Sequence, residues 1–253
     1  MLKKISFVFL LVSQFVSAQL VNIESKRMQT DSIRFVLKSD ATFSYNNNDG
    51  DYIYQIGGAL STQLKSKDLK KIFFLIGNYR LIRAEEKDFQ NSWFAHLRFN
   101  YKLSKMLRLE SFIQSQHNEL LDINSRNLIG AGIRLKLISK EHIKLYLGNA
   151  YMYEEEKSNA FNKRFYNHRH SSYLSVSATF NESKLNLLNT VYYQPLYEDF
   201  GNYRILEQFK AEIPISKSLN LFTLFNYYLD SLTPEDNREY TSNISVGIGW
   251  QLN

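Results

Sequence analysis

The sequence predicts an all-β fold: a single-chain, antiparallel transmembrane β-barrel of about twelve strands. Three observations carry that expectation. Apolar and polar residues alternate with period two over runs of about twelve residues, near the length a tilted strand needs to cross a bilayer. Connections between these runs are alternately short and long, the pattern of periplasmic turns and outer loops. The chain also opens with an export segment: Lys3 and Lys4 precede a largely apolar run from Ile5 to Phe15, and Val16-Ser17-Ala18 offers a small-residue cleavage site before Gln19.

The clearest alternation lies between Ser92 and Asn118. Trp93, Ala95, Leu97, Phe99, Tyr101 and Leu103 share one face, and Ser92, Phe94, His96, Arg98, Asn100 and Lys102 the other. After Ser104-Lys105-Met106 the alternation resumes, with Leu107, Leu109, Ser111, Ile113 and Ser115 set against Arg108, Glu110, Phe112, Gln114 and Gln116. Two such runs across a tight turn form a hairpin.

The expected division is a signal peptide over residues 1–18, a polar leader over 19–31 and a barrel over 32–253. Strand one places Phe35, Leu37, Ala41, Phe43 and Tyr45 outward and Arg34, Lys38, Asp40 and Thr42 inward, and NNNDGD at 46–51 is a turn by composition. Strand two turns Tyr52, Tyr54, Ile56, Leu60 and Leu64 outward, leaving the small set Gly57, Ala59 and Ser61 inside. In strand three Phe73, Leu75, Tyr79 and Leu81 face out, but Phe74, Ile76 and Ile82 make the other face apolar too. Arg83–Gln90 is expected as a loop, and strands four and five are the hairpin above.

Strand six alternates Ile129, Ala131, Ile133, Leu135 and Leu137 with Gly130, Gly132, Arg134 and Lys136, and strand seven runs from Ile143 to Tyr153. Glu154–Arg169 is then expected as the longest loop. Strand eight follows over His170–Phe180, strand nine about Lys184–Gln194, strand ten about Asn202–Ile215 and strand eleven over Leu219–Leu229. Strand twelve closes the chain, with Tyr240, Ile244, Val246, Ile248, Trp250 and Leu252 outward and Ser245, Gly247 and Gly249 inward. An even count returns the last strand beside the first.

Composition narrows the function classes. The chain has 253 residues, no cysteine and three prolines, which excludes disulfides and thiolate metal sites. Net charge is +6, and loss of Lys3 and Lys4 with the export segment leaves +4, too mild a surplus to argue for nucleic acid. Charge is nonetheless sorted. The expected outer loops are acidic in sum and the periplasmic turns basic in sum, a distribution suited to anionic headgroups on the inner side.

Four stretches resemble the salt-stress-induced outer-membrane protein family: HLRFNYKLSK at His96–Lys105, LRLESFIQSQ at Leu107–Gln116, RNLIGAGIRLKL at Arg126–Leu137 and the leader ESKRMQTDSIRF at Glu24–Phe35. That family is a domain of unknown function. The resemblance implies an outer-membrane barrel and brings no established activity or catalytic residue with it.

The sharpest candidate site is a lumen charge cluster. With the hairpin turning at Ser104-Lys105, Lys102 faces Arg108 and Asn100 faces Glu110. In the simplest register for strand six, Lys136 flanks Glu110 and Arg134 lies near Arg98 across Phe112. Arg98, Lys102, Arg108, Arg134 and Lys136 then surround one carboxylate, Glu110, and such a surface is either an anion-favouring constriction or half of an internal ion-pair network completed by Asp40, Glu207 or Glu212. Inward Phe74, Phe94, Phe112, Tyr146, Tyr173, Tyr192 and Tyr228 act as filler.

Enzymatic readings are weaker. Ser111, Ser115 and His117 share the outward face of strand five, as a lipid-modifying hydrolase would need, but Ser115 and His117 stand about 7 Å apart along a strand. His168 and His170 with Glu154–Glu156 have no diagnostic metal spacing. No phosphate loop, nucleophile elbow or HExxH is present. The expectation is therefore a non-enzymatic barrel without cofactor or metal, monomeric, in the outer membrane. Its partners are membrane lipids, the barrel-assembly machinery and small, possibly anionic solutes, with no nucleic acid. It is a narrow pore or a structural envelope component. The alternatives are a lipid hydrolase built on Ser115 and His117, and a periplasmic lipocalin-type barrel.

Overall fold

In the computed structural model the described residues run from 33 to 252, apart from 49–50, 85–86, 120–122, 159–162, 181–183 and 232–238. The expected signal peptide and the 19–31 leader lie outside them. Twelve strands follow in order: β1 (Phe35–Asn48), β2 (Asp51–Lys65), β3 (Lys71–Ala84), β4 (Lys87–Lys102), β5 (Leu107–Asn118), β6 (Ile123–Ser139), β7 (Ile143–Ser158), β8 (Arg164–Phe180), β9 (Leu185–Pro195), β10 (Tyr203–Pro214), β11 (Leu219–Asp230) and β12 (Glu239–Leu252). Each pairs antiparallel with its neighbours in sequence, and β12 returns to β1 to close the barrel. The seam runs from Leu37 opposite Leu252 to Phe43 opposite Val246. Closure gives every strand a hydrogen-bonded neighbour on both sides, as lipid demands of a spanning sheet.

Alternation sorts the side chains as the sequence implies. The outer wall carries exposed Ile56, Leu75, Ile113, Ile129, Leu174, Ile213, Ile244 and Val246, while polar Gln63, Arg98, Asn100, Gln114, Ser175 and Thr190 are buried inside. So large a continuous apolar belt exceeds what a water-facing surface carries, whereas a bilayer is its natural solvent. Phe74, Ile76 and Ile82 settle the ambiguity of β3, for all three are buried in the lumen with Phe94, Phe112, Tyr146, Tyr173, Tyr192 and Tyr228.

Two expectations need correction. Strands continue past the expected loop boundaries at the end of the barrel remote from the termini: β3 and β4 leave only residues 85–86 between them, and β7 and β8 absorb most of Glu154–Arg169. The alternation persists there with polar residues on the inside, so an apolar count ends the strand too early. The small inward residues named above, expected to leave room in the lumen, also have larger side chains over them. The ring of Phe222 occupies the space where a Cβ of Gly247 would stand, and Asp40 and Lys38 lie over Gly249.

At the end holding the termini the joints are tight. Between β2 and β3, Ser66 N donates to Lys71 O (3.0 Å) and Leu69 adopts a φ of 57°. The Asp68 carboxylate accepts from the Ser66 hydroxyl and the Lys70 N–H, and these two bonds hold its carboxyl below the usual range.

Candidate functional site

Burying charge inside a barrel requires partners, so the lumen is where chemistry concentrates. The hairpin register is as the sequence suggests, with Lys102 opposite Arg108 and Asn100 opposite Glu110. Arg98 donates from Nη1 to Glu110 Oε2 at 3.0 Å, and Arg134 Nη1 lies 3.9 Å from Glu110 Oε1. Tyr173, from β8, donates its hydroxyl to the same carboxylate at 3.2 Å. The guanidinium of Arg98 stands 4.8 Å from the Phe112 ring and that of Arg134 lies 3.9 Å from the Tyr146 ring, so aromatic faces share the cationic charge. Beside them the His96 ring stacks between Phe94 and Phe112, with Nδ1 3.1 Å from Gln114 Oε1 and Arg98 Nε donating to Nε2 at 3.3 Å.

The register of β6 differs from the simplest one. Arg134 stands opposite Arg108, and Gly132, not Lys136, is opposite Glu110. Lys136 therefore sits at the mouth, half-exposed, donating its amine to Ser139 Oγ at 3.3 Å and its backbone N–H to Met106 O. Lys102 and Arg108 are likewise half-exposed at that mouth. The six candidate residues thus divide into a buried trio, Arg98, Glu110 and Arg134, and a solvated cationic rim. Arg80 stands apart from them, opposite Ser92 and six residues along β3 from Phe74, the partner of Arg98; it is buried and donates to Gln55 Oε1 at 2.7 Å.

Of the expected counter-charges, Glu212 serves a different pair. It accepts from Lys38 (2.8 Å), across the barrel on β1, and from Lys210 (2.5 Å). Glu207 faces outward and accepts from Asn189 at 3.2 Å.

A second network, absent from the sequence reading, crosses the lumen at the end remote from the termini. Arg204 of β10 donates to Glu154 Oε1 (2.9 Å) and Glu156 Oε2 (3.2 Å) of β7, and to Asp230 Oδ2 (2.8 Å) of β11. Arg126 of β6 donates to Glu156 (2.7 Å), and Arg169 of β8 lies 3.6 Å from Glu154 Oε1. Tyr228 and Asn167 add donors, the Tyr228 hydroxyl to Asp230 (2.9 Å) and the Asn167 amide nitrogen to Glu154 (3.1 Å). Three guanidinium groups meet three carboxylates, all buried, so the network is balanced and ties one side of the barrel to the other. Its signal lay in parity: Glu154 and Glu156 continue the inward set of Tyr146 and Met152, and Arg169 that of Ser171 and Tyr173.

The same parity separates the His and Glu residues of the longest expected loop. Glu154 and Glu156 point inward while His168 and His170 point outward, and no cluster of metal-ligating residues occurs among the described residues. Ser115 and His117 do not meet either: Ser115 Oγ donates to Asn127 Oδ1 (2.6 Å), and His117 Nδ1 lies 2.7 Å from Asn124 O.

Among solved structures, the chain is similar to an outer membrane channel from Pseudomonas putida F1 (TM-score 0.56, 6% identity, 92% of this chain and 99% of that one). It is also similar to the NanC porin (TM-score 0.52, 9% identity, 86% of this chain and 100% of that one). At such identities the likeness shows the fold alone: a closed antiparallel β-barrel. No curated protein matches the chain in sequence. The chain matches the family described as "Protein of unknown function, DUF481" over residues 27–251, and it belongs to that family.

Proposed function

We propose that the protein is an outer-membrane channel for small anionic solutes, held shut at its extracellular end by the Arg126–Arg169–Arg204 network. One observation carries this reading. On the wall formed by β4 to β6, Arg98 and Arg134 are buried in the lumen beside Glu110. Guanidinium groups lining a lumen are costly in a sealed space and favourable in one that admits a hydrated anion. The half-exposed Lys102, Arg108 and Lys136 at the periplasmic mouth extend the same polarity.

A balanced network suits a gate because its members satisfy one another when shut and water can satisfy them when open. Planar-bilayer recording of the purified protein tests the proposal. The wild type is expected to give brief, small, anion-selective openings, Arg204→Ala is expected to open it persistently, and Arg98→Ala with Arg134→Ala is expected to move the reversal potential toward cations. Silence from both wild type and Arg204→Ala, or a cation-selective pore indifferent to the Arg98 and Arg134 changes, overturns it.

A further inference from the structure

A second constellation lies on the opposite side of the wall. On the outward face of β7 and β8, His170 Nε2 is 2.7 Å from Ser172 Oγ, and Ser172 Oγ donates to Asn149 Oδ1 at 2.8 Å. His170 Nδ1 is 3.3 Å from the hydroxyl of Tyr197, whose ring meets the imidazole edge-on. A nucleophile bonded to a base that is itself oriented by a third group is the arrangement acyl transfer needs. We propose that Ser172 and His170 form a hydrolytic site for the acyl esters of membrane lipids.

Position argues for lipid esters specifically. Ser172 lies eight residues from the end of β8 at Phe180, so a strand rise of about 3.3 Å and a tilt near 40° place it about 20 Å above the periplasmic boundary. For an apolar band about 25 Å tall that is near its outer edge, and Tyr151, Tyr153, Tyr166, Tyr193 and Tyr197 are exposed around it as an aromatic belt. Ester carbonyls lie at this depth. Toward the bilayer centre the wall continues as Leu174, opposite both Leu147 and Val191, an apolar track for the acyl chain.

The heavy atoms serve two proton arrangements. In one, Ser172 donates to Asn149 and accepts from His170 Nε2. Turning the Asn149 amide over makes its nitrogen the donor, so Ser172 donates to Nε2 and His170 Nδ1–H donates to Tyr197. In this second state Ser172 Oγ attacks the ester carbonyl carbon while its proton passes to Nε2, and the Asn149 amide stands beside the developing oxyanion. Collapse breaks the acyl–oxygen bond and the departing alcohol takes the proton from His170. Water then attacks the Ser172 acyl ester, giving its proton to His170, and the fatty acid leaves as Oγ regains that proton. Asn149 and Tyr197 are positioning residues.

The test uses purified full-length protein in mixed micelles of either a diacyl phospholipid or lipid A, with released fatty acid as the readout and a fluorophosphonate as a covalent probe. Release from at least one lipid, fluorophosphonate on the peptide bearing Ser172, a fall of about 100-fold or more in Ser172→Ala and His170→Asn, and an unchanged rate in Ser115→Ala are expected. Tyr197→Phe is expected to retain label but shift the acidic limb of the pH–rate profile. Circular dichroism and heat-modified electrophoretic mobility identify correctly folded variants. A folded wild type inactive on both lipids, or one as active as folded Ser172→Ala, overturns the proposal. Because the site is on the outer wall, Arg204→Ala is expected to leave hydrolysis unchanged, which separates this activity from the channel.

Discussion

Glu154 is the residue on which the extracellular network turns. It accepts from Arg204 and Asn167 and lies 3.7 Å from Arg126 Nε and 3.6 Å from Arg169 Nε, at 2% side-chain exposure. Removing one charge of a buried set leaves the others uncompensated, a loss of roughly 3–5 kcal/mol. Glu154→Gln is therefore expected to lower the free energy of unfolding by about that amount in urea titrations of the lipid-reconstituted barrel. Glu155→Gln, one residue away, loses only the half-exposed pair with Arg164 (2.7 Å) and is expected to change it by less than about 1 kcal/mol. Equal effects would contradict the network. At this scale the sequence placed Arg98 and Glu110 on one wall, because a hairpin register follows from its turn, and it set Arg134 beside them through a β6 register that the structure corrects. It concealed Glu154, because the partners on β10 and β11 are distant in the chain and their meeting depends on closure.

Strands were the most legible level, and their ends the least. Parity put nearly every wall residue on its correct face, since a single slip exposes the whole apolar set. Length failed where lumen-facing charges replaced lumen-facing small residues, as at Glu154 and Glu156, and where the outward residues became Tyr and His. Strand pairs also hold a steric device that composition does not show: rings lie over the glycine opposite them, Phe112 over Gly130, Tyr173 over Gly148 and Phe222 over Gly247. Tyr173 thereby reaches Glu110. A Cβ on Gly148 meets that ring directly, so Gly148→Ala is expected to cost about 1–3 kcal/mol and to displace Tyr173 from the Glu110 carboxylate. Gly58, which faces outward into open space, is the control, and Gly58→Ala is expected to be near neutral by the same urea titration. Similar losses at both sites would mean that the stacked rings do not matter.

For the whole molecule, two solvents have written one pattern into the chain. The outer wall is selected for hydrocarbon and the inner for hydrogen bonding, and closure follows because neither face tolerates an open edge. The basic turns beside the start of β1 and the end of β12, and the aromatic belt toward the other rim, fit a barrel embedded in a bilayer. The two tryptophans of the chain report on this directly. Trp93 and Trp250 both face outward, at 37% and 43% exposure. Trp250 lies two residues from the end of β12 at the terminal side, and Trp93 nine residues from the terminal end of β4, about 20 Å higher. Fluorescence quenching of the reconstituted protein by phospholipids brominated at successive acyl depths measures where they sit. Strong quenching of each single-tryptophan variant by bromines near the headgroup, with little quenching by aqueous acrylamide, is the predicted result, and efficient acrylamide quenching with indifference to bromine would contradict the assignment of the outer wall to lipid.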